Sequence, residues 1–314
     1  MFQIIKPGTV IPFMKIAKPV EVLMIVLVVA CIFSVCTKGL NLGLDFTGGV
    51  IIEAKYEQDA NLEKIRADLE KNGISGAIVQ NFGTTKDVSI RIQPKNGESQ
   101  ETITEKVKTT VVAGDSNAQV TRSEYVGPSV GEELVTSGIV AILVSLIILL
   151  VYIALRFEWR MASGAIISLA YDVFVVLGIF SFWEIEYDLT VLAAVLTVLG
   201  YSLNDKIVVF DRIRENARRY HKMPMQRLFD VSLTETLSRT IITSGTTLIT
   251  VVALFLLGGE MIHGFSLALL IGIVYGTISS IYVASTWPLI FNIQREHLLP
   301  VEVKKDQEEI SELD

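Results

Sequence analysis

The chain has 314 residues, of which 51% are apolar, and a mean hydropathy of +0.50. This composition excludes an ordinary soluble domain and indicates a membrane protein with a polar portion. The net charge of -7 argues against a nucleic acid as the partner. The only two cysteines, Cys31 and Cys36, lie in one apolar run, so neither a disulfide framework nor a metal site is expected.

Six segments are long and apolar enough to cross a bilayer, which takes about 20 apolar residues. They are residues 20–36, 134–155, 162–183, 188–210, 240–258 and 264–290. The first could also be a signal peptide, since "VVAC" at 28–31 resembles a lipoprotein cleavage site. The apolar run continues to Val35, however, which favours an uncleaved membrane anchor.

The basic residues of the loops predict the orientation of the chain, because Lys and Arg are retained on the cytoplasmic side. The 156–161 loop carries Arg156 and Arg160, and residues 211–239 carry seven Lys or Arg. The loops at 183–188 and 258–264 carry none. We therefore expect the N-terminal residues 1–19 and the C-terminal tail 291–314 to be cytoplasmic.

Residues 37–133 are expected on the opposite side as a separate α+β domain. Alternating and helical periodicities predict strands at 50–56, 77–82, 87–93 and 118–126, and helices at 61–73 and 99–112. The order βαββαβ is typical of a ferredoxin-like fold. The fold class is thus an α-helical membrane protein of six transmembrane helices, with this domain between the first two.

The motif "GLDFTGG" at 43–49 lies where the first span meets this domain. Gly48 and Gly49 permit a positive φ and a close backbone approach. Asp45 is interpreted as a capping residue in a tight turn rather than as a catalytic group.

The fourth span interrupts its apolar sequence with Asn204, Asp205 and Lys206. Asp205 lies about 24 Å into the span, at about 1.5 Å per residue, in the cytoplasmic third of the bilayer. A charge there costs several kcal/mol unless it is paired or hydrated. Lys206 is long enough to reach the cytoplasmic surface, whereas Asp205 is not. We therefore expect Asp205 to face the bundle interior, with Tyr201 and Asn204 beside it.

The fifth span supplies a partner, because Arg239 begins it at nearly the depth of Asp205. Hydroxyl residues share the helical face of Arg239; they are Thr243, Thr246 and Thr250. We predict an Asp205–Arg239 pair in a hydrated relay whose charge changes as Asp205 gains and loses a proton. Asp172, near the centre of the third span, is a second candidate for the proton path, although an intramembrane Asp can also serve packing alone.

The sixth span carries a small residue at every fourth position, which lets helix backbones approach closely. These positions are Gly264, Ala268, Gly272, Gly276, Ser280 and Ala284.

Within the loop at 211–239, apolar residues predict an amphipathic helix on the membrane surface. They are Met225, Leu228, Phe229 and Leu233, with Ser232 among them. The acidic tail, 291–314, has a composition typical of disordered segments.

Four motifs together resemble the SecF family, the smaller subunits of the SecDF protein-export complexes and relatives of the RND transporters. They are "GLDFTGG" (43–49), "GYSLND" (200–205), "FDRIREN" (210–216) and "SRTIITSGTTL" (238–248). The resemblance implies a bacterial inner-membrane subunit that uses proton flow to help release preproteins on the periplasmic side. Asp205 is then the expected proton carrier and Arg239 its modulator.

The resemblance also implies partners: SecD, the SecYEG translocon with SecA and YajC, an unfolded preprotein and the lipid bilayer. No cofactor is expected beyond the coupling ion, for which the resemblance implies a proton. Lys206 departs from the family pattern, which has a small hydroxyl residue there, and a cation beside the carrier favours the ionised carboxylate.

Two other functions stay open from the sequence alone. One is a subunit of an RND-type antiporter for protons and small molecules, although the external domain is small and poor in aromatic residues. The other is a structural scaffold that stabilises a channel. An enzyme is not expected, because the sequence contains no constellation of nucleophile and base.

Overall fold

In the computed structural model the described residues are 9–82, 84–92, 100–115, 117–259 and 262–298. Their helices are α1 (Phe13–Lys38), α2 (Leu44–Thr47), α3 (Leu62–Lys71), α4 (Gln100–Gly114), α5 (Pro128–Arg156), α6 (Trp159–Phe182), α7 (Leu189–Arg219), α8 (Met225–Leu257) and α9 (His263–Ile290). The strands are β1 (Asn41–Leu42), β2 (Gly49–Lys55), β3 (Ile78–Phe82), β4 (Thr84–Ile92), β5 (Gln119–Val126) and β6 (Glu186–Tyr187). The predicted tail is described only to Leu298, and 299–314 lie outside the described residues, as do 1–8.

Six of these helices are long and apolar enough to cross a membrane: α1, α5, α6, α7, α8 and α9. This confirms the number of spans expected from the sequence. In α6, α7 and α9, 56% of the most apolar stretch is buried, against 11% in α5 and 17% in α8. The centre of the bundle is therefore α6, α7 and α9, and most of the apolar stretch of α5 and of α8 is not covered by the described residues.

The prediction of a loop at 211–239 is wrong, because both flanking helices continue beyond the apolar segments. α7 extends to Arg219 and α8 begins at Met225, leaving only 220–224 as a connection. Residues such as Glu215 and Ala217 continue α7 because they are good helix formers. Pro224, which has no backbone N–H to contribute to a helical turn, immediately precedes α8.

The prediction of a helix lying on the membrane surface is also wrong. Leu228, Phe229 and Leu233 are buried, and they belong to the same apolar core as Ile213 and Leu298. The amphipathic sequence at the start of α8 therefore packs against the end of α7 rather than on lipid.

The domain between α1 and α5 contains a four-stranded antiparallel sheet with the order β3-β4-β2-β5. Its elements follow the chain in the order βαββαβ, as the sequence predicts. Alternate residues of β2 and β4 are directed to one face and form a core with α3 and α4. Fully buried members of this core are Val50, Ile52, Leu69, Val88, Ile90 and Val107.

Candidate functional site in the membrane

A buried ion pair lies where α6, α7 and α9 meet. Lys206 Nζ donates to Asp172 Oδ2 at 2.9 Å, and the exposed fraction of both side chains is 0%. Ser202, one turn before Lys206 on α7, donates to the same carboxylate oxygen at 2.5 Å. Ser279 of α9 donates to Asp172 Oδ1 at 2.5 Å. The Asp172 carboxylate therefore accepts hydrogen bonds from both other helices of the bundle centre.

The ion pair contradicts the expectation that Lys206 reaches the cytoplasmic surface. Its ammonium also donates to Ser202 Oγ and lies 3.5 Å from the Ser202 carbonyl oxygen. A buried carboxylate on the adjacent helix compensates an ammonium without the loss of packing that an extended lysine would cause. Asp172, predicted as a member of the proton path, is thus bonded to a cation supplied by the same chain.

Asp205 is adjacent to Lys206 in sequence but lies in a different environment. Its exposed fraction is 4%, and its carboxylate accepts no hydrogen bond from any described residue. A buried carboxylate without such partners is unstable as an anion unless water, a proton or a nearby charge compensates it. Of the two predicted relay carboxylates, Asp172 has a bonded cation that opposes its protonation, and Asp205 has none.

The predicted Asp205–Arg239 ion pair is not formed, since no described nitrogen and oxygen of the two side chains lie within 4.0 Å. Arg239 is exposed at the start of the apolar part of α8. The two residues are therefore not a bonded pair in this structure.

The predicted threonine hydroxyls are bonded within α8 and do not contact Asp205. Thr243 donates to the Arg239 carbonyl at 3.0 Å, and Thr246 and Thr250 donate to carbonyls one turn earlier in the same helix. Thr246 and Thr250 are exposed. Their hydroxyls can still accept a hydrogen bond from a group outside this chain.

The two polar residues predicted beside Asp205 differ in exposure. Asn204 is exposed on α7, and the buried Tyr201 hydroxyl has no hydrogen-bond partner among the described residues. Asn204 of α7 and Arg239, Thr246 and Thr250 of α8 are exposed polar residues, and we call this set of four the open polar face. Polar groups at membrane depth are stable only against protein or water.

The predicted packing glycines hold α9 against α7. A Cβ atom at Gly272 would lie 2.2 Å from Val198 Cγ2, and one at Gly264 would lie 3.0 Å from Val191 Cγ2. A Cβ at Gly276 would lie 2.9 Å from Ser202 Oγ and 3.8 Å from Asp172 Oδ2. Gly276 therefore has a second role, because it makes room for the hydrogen-bonded cluster around Asp172.

The "GLDFTGG" motif joins the external domain to the bundle. Asp45 Oδ2 accepts a hydrogen bond from the Leu189 backbone N–H, at the start of α7, at 3.1 Å. Gly48 and Gly49 have φ of 67° and 128°, and a Cβ at Gly49 would lie 2.6 Å from the Ile92 carbonyl oxygen. Asp45 thus caps the amino-terminal end of α7, whereas the sequence suggests only a capping residue in a tight turn.

Sequence reasoning missed several polar residues of the bundle. Ser202 and Ser279 complete the cluster around Asp172, but serine is common in membrane helices and gives no signal by itself. Glu21 of α1 is buried, and its Oε1 accepts a hydrogen bond from Trp287 Nε1 at 3.0 Å. An acidic residue at the edge of the first apolar segment is the signal that could have identified Glu21.

A second missed contact connects the external domain with the segment between α6 and α7. Arg91 of β4 forms an ion pair with Glu186 of β6 and donates to the Leu42 carbonyl of β1 at 3.3 Å. β1 and β6 pair in parallel. The chain before the domain, the domain itself and the start of α7 therefore meet at one place.

The chain matches two family models. One is the protein export membrane protein SecD/SecF, C-terminal, over residues 106–295, and the other is the SecD/SecF GG motif over residues 33–60. The first covers more than half of the chain and contains the whole α6–α9 site. The second contains Asp45, Gly48 and Gly49.

Similar proteins of known name agree with these models. The chain is 52% identical to protein translocase subunit SecF of Vibrio alginolyticus, with 100% of both chains covered. It is 49% identical to the Haemophilus influenzae protein of the same name, covering 97% of this chain and 93% of that one. For the Escherichia coli O157:H7 protein the identity is 46%, over 89% and 87% of the two chains.

Solved structures show the same fold in a longer chain. SecDF from Thermus thermophilus, described as a translocon-associated membrane protein, is similar with a TM-score of 0.83 and 36% identity. The match covers 91% of this chain and 39% of that one. SecDF in a super-membrane-facing form gives a TM-score of 0.70 and 36% identity, over 94% of this chain and 40% of the other. The chain thus spans well under half of the solved SecDF chains.

Proposed function

This chain belongs to the SecF family of protein translocase subunits, and on that premise we propose that it couples the proton motive force to protein export. It is a multi-pass membrane protein and an accessory subunit of protein translocation. The proposal concerns its energy source and its step: protons crossing the bundle drive the late stage, in which a preprotein is released on the periplasmic side.

One observation carries this proposal: Asp205 is buried in α7, without a hydrogen bond from any described residue, next to the exposed Asn204 of the open polar face. A carboxylate in this position exchanges a proton when water reaches it and is neutral when water is excluded. One elementary charge moved across 100 mV supplies about 2.3 kcal/mol, enough to bias two conformations of a helix bundle. Arg239 acts as the modulator, because its positive charge favours the ionised form of Asp205.

The open polar face requires a cover of protein, and we propose that a SecD-type subunit supplies it. The solved SecDF chains are more than twice as long as the part that this chain matches. A second, related bundle placed against α7 and α8 would enclose Asp205, Asn204 and Arg239 and satisfy their polar groups. The SecYEG translocon with SecA and YajC, together with the unfolded preprotein, completes the proposed assembly.

We further propose the placement of the chain in the bacterial inner membrane. The basic residues at the adjoining ends of α5 and α6, and of α7 and α8, favour a cytoplasmic position for both junctions, and hence for both ends of the chain. The domain of β2–β5 is then periplasmic. Its strand order and its two helices support a ferredoxin-like fold.

The decisive experiment replaces Asp205 by its amide in the assembled complex. Asp205→Asn keeps the size of the side chain and removes the proton exchange. We expect inverted membrane vesicles carrying this variant to lose the part of preprotein export that responds to the proton gradient, with normal assembly of the complex. The readout is export with and without an uncoupler.

Asp211→Asn is the matched control, because it makes the same chemical change six residues further along α7. Asp211 is half-exposed and bonded to Arg156 at 3.0 Å. It should leave the gradient response intact. If Asp205→Asn keeps a full gradient response, the proton-carrier proposal fails, and the subunit is a scaffold for the export complex.

A further inference from the structure

The Asp172 cluster has the composition of a binding site for a small cation. Around the Lys206 ammonium are a carboxylate oxygen of Asp172, the hydroxyl oxygen of Ser202 and the carbonyl oxygen of Ser202. Oxygen ligands of these kinds are the ones that hard metal cations prefer in proteins. The ammonium is a positive charge held among them by the lysine side chain.

We propose that Lys206 is a tethered cation, which occupies a site that Asp172 and Ser202 would otherwise offer to Na⁺. The side chain enters from α7, one turn from Ser202, and its nitrogen is fully enclosed. Because the cation is covalently attached, it cannot exchange with ions from either side of the membrane. The site is therefore permanently filled.

The neighbouring contacts fix the carboxylate in the orientation that such a site needs. Ser279 bonds the Asp172 oxygen that does not contact the lysine, and Ser168 contacts the Ser279 hydroxyl at 3.1 Å. Gly276 leaves room for Ser202 between the helices. This arrangement comes from three helices, so it is preserved when the lysine alone is changed.

The tethered cation determines which ion the bundle uses. With Lys206 in place, Na⁺ is excluded at Asp172, whereas Asp205, the carboxylate that precedes Lys206 on α7, has no bonded cation among the described residues. Which ion the bundle then uses rests on the proposed function. The occupation of the site by the ammonium does not rest on the proposed function, and it can be tested without any export assay.

The test removes the Lys206 ammonium and measures whether Na⁺ then stabilises the protein. Lys206→Ser removes the ammonium and leaves space for an ion. In the complex purified in nanodiscs, we expect its melting temperature to be higher in NaCl than in choline chloride of equal concentration. The rise should be roughly 3 °C when Na⁺ is at about ten times its dissociation constant. The wild type should show no such difference.

Two variants serve as controls. Lys206→Met fills the same space with an uncharged chain, and Lys206→Ser/Asp172→Asn removes the carboxylate ligand. Neither should respond to sodium. Adding Asp205→Asn to Lys206→Ser should leave the response intact, which separates this inference from the proton-carrier proposal.

Each other outcome overturns the inference. A sodium response shared by Lys206→Ser and the double variant would mean that the ion binds elsewhere. A well-folded Lys206→Ser without a response would mean that the oxygens do not form a cation site. If Lys206→Ser aggregates in both salts while the double variant folds, no ion from solution replaces the ammonium. If the double variant aggregates as well, the lysine serves packing.

Discussion

Two buried carboxylates, Asp172 of α6 and Asp205 of α7, lie on different sides of α7 and have opposite environments. On the side facing α6 and α9, Asp172 accepts hydrogen bonds from Lys206, Ser202 and Ser279, and nothing is left to solvent. On the other side, Asp205 accepts no hydrogen bond from any described residue and follows the exposed Asn204 of the open polar face. Adjacent residues of one helix thus belong to a closed site and an open one.

This difference in bonding distinguishes a carboxylate with a fixed charge, Asp172, from one that can exchange a proton, Asp205. A carboxylate with a bonded ammonium in a dry interior gains nothing from a proton, because protonation would leave the ammonium alone. A carboxylate without partners changes its state at much lower cost. The closed side therefore acts as a fixed frame, and the open side is where ion exchange and a partner subunit belong.

The most disruptive change on the closed side is Lys206→Met, which leaves Asp172 buried without its cation. We expect a loss of about 3–5 kcal/mol in the free energy of unfolding, the usual result of breaking a buried ion pair. Reversible denaturation of the purified chain measures it. Adding Asp172→Asn should restore much of the loss.

The matched change on the open side is Asp205→Asn, which removes a charge without breaking a hydrogen bond to any described residue. It should alter the free energy of unfolding by less than about 1 kcal/mol. Equal losses for Lys206→Met and Asp205→Asn would show that the two sides do not differ as described.

The membrane spans were predictable from the sequence because the bilayer imposes a length and a hydropathy on each. The helix ends were not, because hydropathy detects only the part of a helix in lipid, and α7 and α8 continue well beyond it. The short strands of the external domain were predictable because their alternation matches one buried face of the sheet.

The candidate site was predictable only in part. Unusual charges in apolar segments identified Asp172, Asp205 and Lys206, since each is costly in lipid. The direction of the Lys206 side chain was not predictable, because a lysine can extend to the surface or bond a distant carboxylate. Its partner lies 34 positions away on another helix. The relation of Asp205 to Arg239 depends on the packing of α7 against α8, which periodicity does not define.

Glycine substitutions sharpen the comparison at a smaller scale. Gly272 of α9 packs against Val198 on the closed side, so Gly272→Ala should lower the free energy of unfolding by about 1–3 kcal/mol through overpacking. Gly245 of α8 has no atom within 4 Å of an added Cβ. In the isolated chain, Gly245→Ala should be neutral or stabilising by up to about 1 kcal/mol, because alanine favours the helix.

The same denaturation experiment compares the two alanine variants directly. A large loss for Gly245→Ala in the isolated chain would contradict the open character of this side. In the complex the ranking of the two positions can change. If a helix of the partner subunit packs on Gly245, a larger side chain there, as in Gly245→Leu, would displace that helix.

The last comparison concerns the contact between the external domain and the start of α7. Arg91→Gln removes the ion pair with Glu186 and the hydrogen bond to the Leu42 carbonyl, where the arginine side chain is only 9% exposed. Charged hydrogen bonds of this kind are worth about 1.5 kcal/mol. We expect a loss of that size, together with faster proteolysis between the domain and α5.

Arg122→Gln provides the control in the same sheet, because Arg122 of β5 pairs with Glu53 at 3.6 Å and with Glu124 while remaining 33% exposed. A partly exposed pair contributes about 0–1 kcal/mol, since water already solvates it. If Arg91→Gln and Arg122→Gln are equally mild, the domain is attached mainly through Asp45 and the glycines of the "GLDFTGG" motif. If Arg91→Gln alone speeds proteolysis, the Arg91–Glu186 contact is what links the sheet, through β6, to the start of α7. Movement of α7 during ion exchange would then reach the external domain through this contact.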